Sequence, residues 1–117
     1  MAIQRIEPGA RLSSAVVHGG KVYLAGYVAD AAMGKSVAAQ TADILAQIDE
    51  TLAQAGSDKT RLLKVNIWLS DISTIGEMNS VWDKWVVPGK TPARATVEAK
   101  LADAGWAVEI MVEAACD

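Results

Sequence analysis

Apolar residues recur at two spacings along this chain of 117 residues, and the spacing separates helices from strands. Between residues 36 and 55 they return every three or four positions, which predicts an amphipathic helix. A serine at its first position is suited to cap the helix, and Gly56 falls where helices commonly end in the left-handed conformation. The same spacing over residues 75–86 predicts a second helix, in which Trp82 and Trp85 are interpreted as packing residues.

Short apolar runs predict six β-strands, at about residues 2–6, 14–18, 21–27, 62–69, 93–99 and 108–113. Gly19 and Gly20 separate two of these runs and predict a hairpin, because both residues tolerate positive φ. Within the fourth run, Leu63 and Val65 are expected on the helix-facing side. The last two runs are expected to pair as a second hairpin, closed near residues 102–103. This order of elements predicts an α+β fold, with a mixed six-stranded sheet that carries both helices on one face.

Arg94 and Glu109 are the leading candidates for chemistry, since they are charges within otherwise apolar strands. Side chains alternate along a strand, so Arg94 and Thr96 share one face, while small apolar residues take the other and can accept a helix. In the expected hairpin, Glu109 lies opposite Thr96 and diagonal to Arg94, at a Cα separation of roughly 7–8 Å. That gap would hold a small anion beside the guanidinium and a water beside the carboxylate. The alternative interpretation is an ion pair between the two residues at a subunit interface.

The sheet face opposite the helices is expected to be both aromatic and charged. It carries Trp68 and Met111, together with Tyr23 or Tyr27, beside the charged residues. Such a mixture is too apolar for an open surface and too charged for a core, and it is typical of interfaces and interface pockets. We therefore expect an oligomer that packs sheet against sheet, with ligand clefts between subunits. Gly26 marks either a close approach by a ligand or backbone, or simply the end of a strand.

Composition and charge argue against several classes of partner. The formal net charge is −3 and the sequence pI is about 5.1, with Lys and Arg scattered along the chain. Nucleic-acid binders cluster their basic residues, so no nucleic-acid partner is expected. The one cysteine, Cys116, permits no internal disulfide and fits a reducing compartment. No apolar run approaches the ~18 residues that span a bilayer, and no signal segment is visible, so we expect a cytoplasmic protein with no membrane partner.

Several segments occur together in one order. The most specific is PAR-x-x-VE at 92–98, which is followed by a glutamate 15 positions after its arginine. YVAD at 27–30 and AGS at 55–57 precede it. Together these segments resemble the reactive intermediate deaminase family (RidA, or YjgF), whose fold is similar to that of the trimeric chorismate mutases. The opening IxRIEPGARLS and the W-D-x-W-V run at 82–86 resemble a YoaB-like bacterial subgroup of that family.

The resemblance implies a homotrimer with three clefts between adjacent subunits. It also implies hydrolysis of reactive enamines and imines, such as 2-aminoacrylate and 2-imino acids, to 2-keto acids and ammonia without a metal or cofactor. The family's carboxylate-binding arginine falls on Arg94, its water-activating glutamate on Glu109, and a cleft asparagine on Asn79. Two substitutions distinguish this chain: Thr96 stands where the archetype has a cysteine, and Leu12 stands where it has a tyrosine.

Two function classes remain open at this point. The first is a cofactor-free imine and enamine deaminase whose substrate is a small carboxylate; the second is a non-catalytic trimer that binds small carboxylates or partner proteins in the same clefts. They differ at Glu109, because only the enzyme needs a carboxylate that activates water. Thr96 is a candidate for hydrogen bonding to substrate, although a strand threonine more often reflects β-propensity alone. Tyr27 is a candidate for closing the cleft wall, and the alternative is an ordinary interface aromatic. Some relatives are labelled endoribonucleases or translation inhibitors, but the acidic pI makes direct RNA binding the weaker interpretation.

Overall fold

The computed structural model describes residues 2–117 and contains seven strands and two α-helices. Short 3₁₀ turns at Lys59–Arg61 and Ile72–Thr74 precede the fifth strand and the second helix. Within residues 2–117, neither helix is long and apolar enough to cross a membrane. In chain order the elements are β1 Gln4–Pro8, β2 Ser13–His18, β3 Lys21–Leu24, β4 Tyr27–Val28, α1 Val37–Gln54, β5 Leu62–Leu69, α2 Ile75–Trp85, β6 Ala93–Glu98 and β7 Val108–Ala115.

All seven strands form one mixed sheet, in the order β1-β2-β3-β7-β5-β6, with β4 paired to β7 beside β3. Only β5 and β6 run parallel; the other pairs are antiparallel. Parallel neighbours need a long crossover connection, usually a helix, and α2 supplies it between β5 and β6. The predicted α+β class, with a mixed sheet and two helices, is therefore confirmed.

The sheet has seven strands rather than the predicted six, because the third run is divided. Tyr23 lies opposite Glu113, while Tyr27 lies opposite Ile110, so four steps on one strand match three on the other. One extra residue in a strand interrupts its ladder locally, as in a β-bulge. The interruption separates β3 from β4 and places Gly26 immediately before the new strand.

The predicted hairpin between the last two strands is wrong, because β5 lies between β6 and β7. Arg94 is in register with Val65, which is fully buried on the helix side of the sheet. Residues in register point to the same face, so Arg94 and Thr96 lie on the helix side, and Val97 lies on the opposite face. The predicted faces of β6 are therefore exchanged. Alternation along the sequence defines two faces, but only the pairing partner decides which one meets the helices.

The hydrophobic core fills the space between the two helices and one sheet face. A β-bulge between Leu62 and Lys64 shifts the start of β5, so that Leu62 is buried and Leu63 is 43% exposed, contrary to the prediction for Leu63. The prediction that Leu62 faces away from the helices is wrong for the same reason, whereas Val65 is buried on the helix side as predicted. Core side chains that are fully or almost fully buried are Ile44, Leu45, Ile48 and Leu52 of α1, Met78 of α2, Val65, Ile67 and Leu69 of β5, and Val108, Ile110 and Val112 of β7.

Both predicted ends of α1 are present. The Ser36 side chain accepts a hydrogen bond from the Ala39 backbone N–H at 3.1 Å, and Gly56 has a φ of 74° just past the helix. We call the sheet face opposite the helices the open face. It carries Tyr23, Trp68, Val97, Glu109 and Met111, of which Tyr23 is 39% and Val97 50% exposed.

Candidate functional site

Arg94 lies on the edge strand β6 and is held by α2. Its Nη1 donates a hydrogen bond to Oδ1 of Asn79 at 2.8 Å, and its Cζ lies 5.4 Å from the ring centroid of Trp82. The Arg94 side chain is exposed, and within residues 2–117 no carboxylate forms a salt bridge with it. The predicted site residues Arg94 and Asn79 are thus in contact. Their contact leaves the positive charge of the guanidinium without an opposing charge.

Thr96 follows two residues later on the same face of β6. Its hydroxyl oxygen is buried, and among the residues that the structure describes it has no hydrogen-bond partner. Buried hydroxyls nearly always have a partner, so an orphan at this position requires an explanation. We call Asn79, Trp82, Arg94 and Thr96 the arginine group.

Glu109 lies on the open face of β7, opposite Trp68 of β5 and Val28 of β4. Its side chain is half-buried and crosses directly over Gly26, where an added methyl group would collide with a carboxylate oxygen of Glu109. The close approach at Gly26 is therefore made by a side chain, and not by the ligand or backbone expected from the sequence; Gly26 also lies between the ends of β3 and β4. We call Gly26 and Glu109 the glutamate group.

Tyr27 does not lie on the open face with Glu109. Its hydroxyl is 2.7 Å from the Thr51 hydroxyl on α1 and 3.4 Å from the Ser14 carbonyl oxygen, to which it donates, so the ring points to the helix side. It is in register with buried Ile110, whereas the tyrosine of the open face is Tyr23. Tyr27 lines a separate polar cavity of about 260 Å³, together with Glu7, Ser14, Gln47, Glu50, Thr51 and Gln54.

Leu12 lies in the turn between β1 and β2. Its side chain is 65% exposed, and its carbonyl oxygen accepts a hydrogen bond from the Gly9 N–H at 2.8 Å. The β1–β2 pair forms one side of the sheet and β6 forms the opposite edge. Leu12 and the arginine group are therefore at opposite ends of the strand order.

The two predicted catalytic residues are on opposite faces of the sheet. Arg94 pairs with Val65 of β5, and Glu109 pairs with Trp68, which lies three residues further along β5. Two strand spacings and three residue steps give a Cα separation of roughly 14 Å. The predicted diagonal pair is therefore wrong, and a single chain cannot bring both side chains to one small molecule.

Trp82 is the member of the arginine group that sequence reasoning did not assign to the site. Its helical spacing is that of a core residue, and it is indeed 5% exposed. The available signal was its position three residues after Asn79, which places both side chains on one side of α2. That signal becomes informative only once Arg94 is known to face α2.

Comparisons with known proteins match the whole chain. A family model described as "Endoribonuclease L-PSP" matches residues 2–116. A RutC family protein of Haemophilus influenzae is 44% identical over 116 residues, covering 99% of this chain and 100% of the relative. The RutC family protein YoaB of Escherichia coli is 40% identical over 115 residues, covering 98% and 99%. The crystal structure of a YjgF family member from Neisseria meningitidis superposes with a TM-score of 0.96 at 46% identity, covering 100% of this chain and 97% of that one.

The fold and these comparisons define an α+β protein of the YjgF type. The chain belongs to the endoribonuclease L-PSP family, which includes the RutC, YjgF and Rid proteins, and within it to the YoaB-like group. The family resemblance noted in the sequence is thereby confirmed. A more distant relative from Rattus norvegicus, named 2-iminobutanoate/2-iminopropanoate deaminase, is 30% identical over 103 residues, covering 84% of this chain and 74% of the rat protein.

Proposed function

We propose that this protein hydrolyses reactive 2-imino acids and their enamine tautomers to 2-keto acids and ammonia. The observation that carries the proposal is the state of Arg94, an exposed guanidinium held in place by a neutral amide and an aromatic ring. A guanidinium presents parallel N–H donors that match a carboxylate bidentately, and here no protein carboxylate occupies them within residues 2–117. The rat relative named as an imine deaminase supports the same substrate class.

We propose further that each active site lies between two copies of the chain in a homotrimer. Since Arg94 and Glu109 lie on opposite faces of one sheet, a shared substrate requires Arg94 from one copy and Glu109 from its neighbour. The open face supports such an assembly, because Tyr23 and Val97 are exposed there beside Trp68 and Met111. Contiguous apolar area of this kind is typical of contact surfaces.

The chemistry follows from the two charged groups. Arg94 holds the carboxylate of the 2-imino acid, and Glu109 of the neighbouring copy takes a proton from a water that attacks the C=N carbon. The C=N π electrons move to the nitrogen, which already carries two protons in the protonated imine, and a neutral tetrahedral carbinolamine forms. The Glu109 carboxyl then gives its proton to this nitrogen, the C–N bond breaks as the C=O bond forms, and ammonia leaves. The hydroxyl proton of the carbinolamine passes to the Glu109 carboxylate, and the second product is a 2-keto acid. A protonated imine is electrophilic enough that the step requires no metal or cofactor.

Thr96 is proposed to contribute a substrate hydrogen bond. Its hydroxyl lacks a protein partner and shares the face of Arg94, so turning outward would place it beside the bound carboxylate. Asn79 keeps the guanidinium of Arg94 in place. Gly26 leaves room for the side chain of Glu109. Leu12 of the neighbouring copy would border the cleft as an apolar residue. In this scheme Tyr27 has a structural role, through its contact with Thr51.

The test is the decay rate of 2-iminopropionate, generated in place by an amino-acid oxidase. Wild type is expected to accelerate the decay, and Arg94→Ala to lose roughly 10- to 100-fold through the missing charge-assisted hydrogen bonds. Glu109→Gln is expected to lose roughly 100-fold or more while still binding pyruvate, because general base catalysis typically contributes that much. Arg61→Ala and Glu50→Gln, which change an arginine and a glutamate outside both groups, are the matched controls.

Two outcomes would redirect the proposal. A mass of one chain, 12.3 kDa, in light scattering would remove the site between subunits. A trimer that binds pyruvate but leaves the imine decay unchanged would instead indicate the non-catalytic carboxylate-binding function. RNA cleavage, the activity in the family description, is expected to be absent, because a net charge of −3 with scattered basic residues offers little for phosphates to bind.

A further inference from the structure

Trp82 has two kinds of neighbour, the hydrophobic core and a charged side chain. It is 5% exposed and belongs to the core, yet Cζ of Arg94 lies 5.4 Å from its ring centroid, within the ~6 Å of a cation–π contact. The ring of Trp85 packs against it with centroids 5.4 Å apart. Trp85 is itself fixed, because its Nε1 donates a hydrogen bond to Asp49 at 3.0 Å. Trp82 is therefore a firmly supported ring next to an exposed cation.

Asn79 and Trp82 hold different parts of the same guanidinium. The amide of Asn79 accepts a hydrogen bond from Nη1, and the indole ring of Trp82 lies against the guanidinium. Within residues 2–117, the N–H groups on Nε and Nη2 of Arg94 have no hydrogen-bond partner. These two nitrogens form the side-on edge of a guanidinium, which matches the two oxygens of one carboxylate.

We infer that Trp82 is a positioning residue for Arg94, a role that rests on the proposed function of that arginine. Trp82 fixes where the guanidinium sits and Asn79 fixes its rotation, so that the Nε–Nη2 edge is presented to the substrate carboxylate. A long arginine side chain loses rotamer freedom when it binds an anion, and prior fixation reduces that loss. Trp82 itself does not touch the substrate. Its removal should therefore weaken binding and leave the chemical step unchanged.

The test compares Trp82→Met with Trp85→Met, two tryptophans of one helix of which only the first contacts Arg94. Pyruvate is titrated by calorimetry as a stable anion, and KM and kcat are measured with 2-iminopropionate. Trp82→Met is expected to raise the pyruvate Kd and the KM roughly 3- to 30-fold, the range of a cation–π contact, with kcat within about twofold. Trp85→Met removes a support of the Trp82 ring but no contact with Arg94, so it should change both constants less than Trp82→Met does. Trp82→Phe, which keeps a weaker aromatic face, should fall between wild type and Trp82→Met.

A second measurement covers the case in which Trp82→Met does not fold, as judged by circular dichroism. Tryptophan analogues with one to four fluorine atoms are incorporated at position 82, and at position 85 as the control. Fluorination weakens the negative potential of the ring face with little change of shape. The pyruvate Kd should rise with each added fluorine at position 82 and stay constant at position 85.

The possible results separate this role from the proposed activity. Equal pyruvate affinity in wild type and the position-82 variants would overturn the positioning role, and so would equal losses at positions 82 and 85, which would indicate general packing. A wild type that binds no pyruvate would also overturn it. Pyruvate binding that depends on Trp82, in a protein that does not hydrolyse 2-iminopropionate, would leave the positioning role intact and remove the proposed activity.

Discussion

The two faces of the sheet treat polar groups in opposite ways. On the helix side, buried polar side chains other than Thr96 have internal partners: Gln40 donates to the carbonyl oxygens of Lys35 and Gly105 and accepts from the Ala107 N–H. On the open face, Glu109 has no hydrogen-bond or ion-pair partner within residues 2–117. The arginine group at the sheet edge resembles the open face in this respect, because Arg94 has no opposing charge there.

This difference separates the part of the molecule that specifies the fold from the part that can bind something else. Buried groups with all their hydrogen bonds made have nothing left to offer a ligand, and losing a partner costs about 1–3 kcal/mol. Unpaired charges at a surface contribute little to folding, and they keep their interaction energy for another molecule. Substitutions of core residues outside the two site groups should therefore change stability, and substitutions of Arg94 and Glu109 should change activity.

The largest expected effect is on stability, at the start of β5. Leu62→Ala removes a side chain that is 7% exposed and should lower the free energy of unfolding by about 2–4 kcal/mol. Leu63→Ala, its neighbour at 43% exposure, should cost less than about 1 kcal/mol. Urea unfolding at one fixed protein concentration measures both. A larger loss for Leu63→Ala would contradict the bulge that turns Leu62 inward and Leu63 outward.

The same bulge illustrates how much of the fold could be predicted from sequence. Spacing alone identified both helices, the strand regions and the α+β class, because periodicity follows from which side chains are buried. It missed the bulge at Leu62 and the break between β3 and β4, since a single extra residue changes the register without changing the composition.

The candidate site was predicted less completely, for a topological reason. The family resemblance selected Arg94, Glu109 and Asn79, and the structure brings Arg94 and Asn79 into contact. A hairpin between β6 and β7 would place Arg94 and Glu109 together on one face, and strands that are neighbours in sequence usually do pair. The parallel β5–α2–β6 connection inserts β5 between them. No pattern within a single strand reveals such an insertion.

The next largest expected effect is a loss of hydrolysis in the variant Gly26→Ala. Its φ is not positive, so alanine is tolerated by the backbone, but the new methyl group would collide with the Glu109 carboxylate. The flexible end of Glu109 should move aside, so the rate of 2-iminopropionate hydrolysis should fall roughly 10- to 100-fold, part of a general base's usual contribution. The free energy of unfolding should change by less than about 1 kcal/mol.

Gly76→Ala is the matched control for this glycine substitution. Gly76 lies in α2, and a Cβ there would meet no heavy atom within 4 Å. It should keep full activity and gain up to about 1 kcal/mol of stability, because alanine is the better helix former. Full hydrolysis by Gly26→Ala would show that Glu109 does not need its present position. The proposal that substitutions in the glutamate group of the open face change activity would then be wrong for Gly26.

The smallest expected effect is a pH dependence in the loop between β4 and α1. The carboxylate of Asp43 accepts hydrogen bonds from the backbone N–H groups of Ala32 and Asp30, at 3.0 and 2.8 Å, and from the side chain of Gln47 at 3.2 Å. The Ala32 N–H, with the other two donors, lowers the pKa of Asp43 below its usual value despite partial burial. This carboxylate therefore ties the loop to α1 as long as it is ionised.

The sign of the pH effect follows from that lowered pKa. Asp43 binds protons less readily in the folded than in the unfolded chain, so its contribution is complete above the unfolded pKa of about 4 and is lost as pH falls through the lower folded value. Asp43→Asn should be less stable than wild type at pH 7, and the difference should shrink below about pH 4 in a urea series. Asp83→Asn, an exposed carboxylate of α2, should stay within about 0.5 kcal/mol of wild type at pH 7.

Since the loop begins after Val28, which lies opposite Glu109, loss of hydrolysis in Asp43→Asn at pH 7 would mean that the loop also controls the glutamate group.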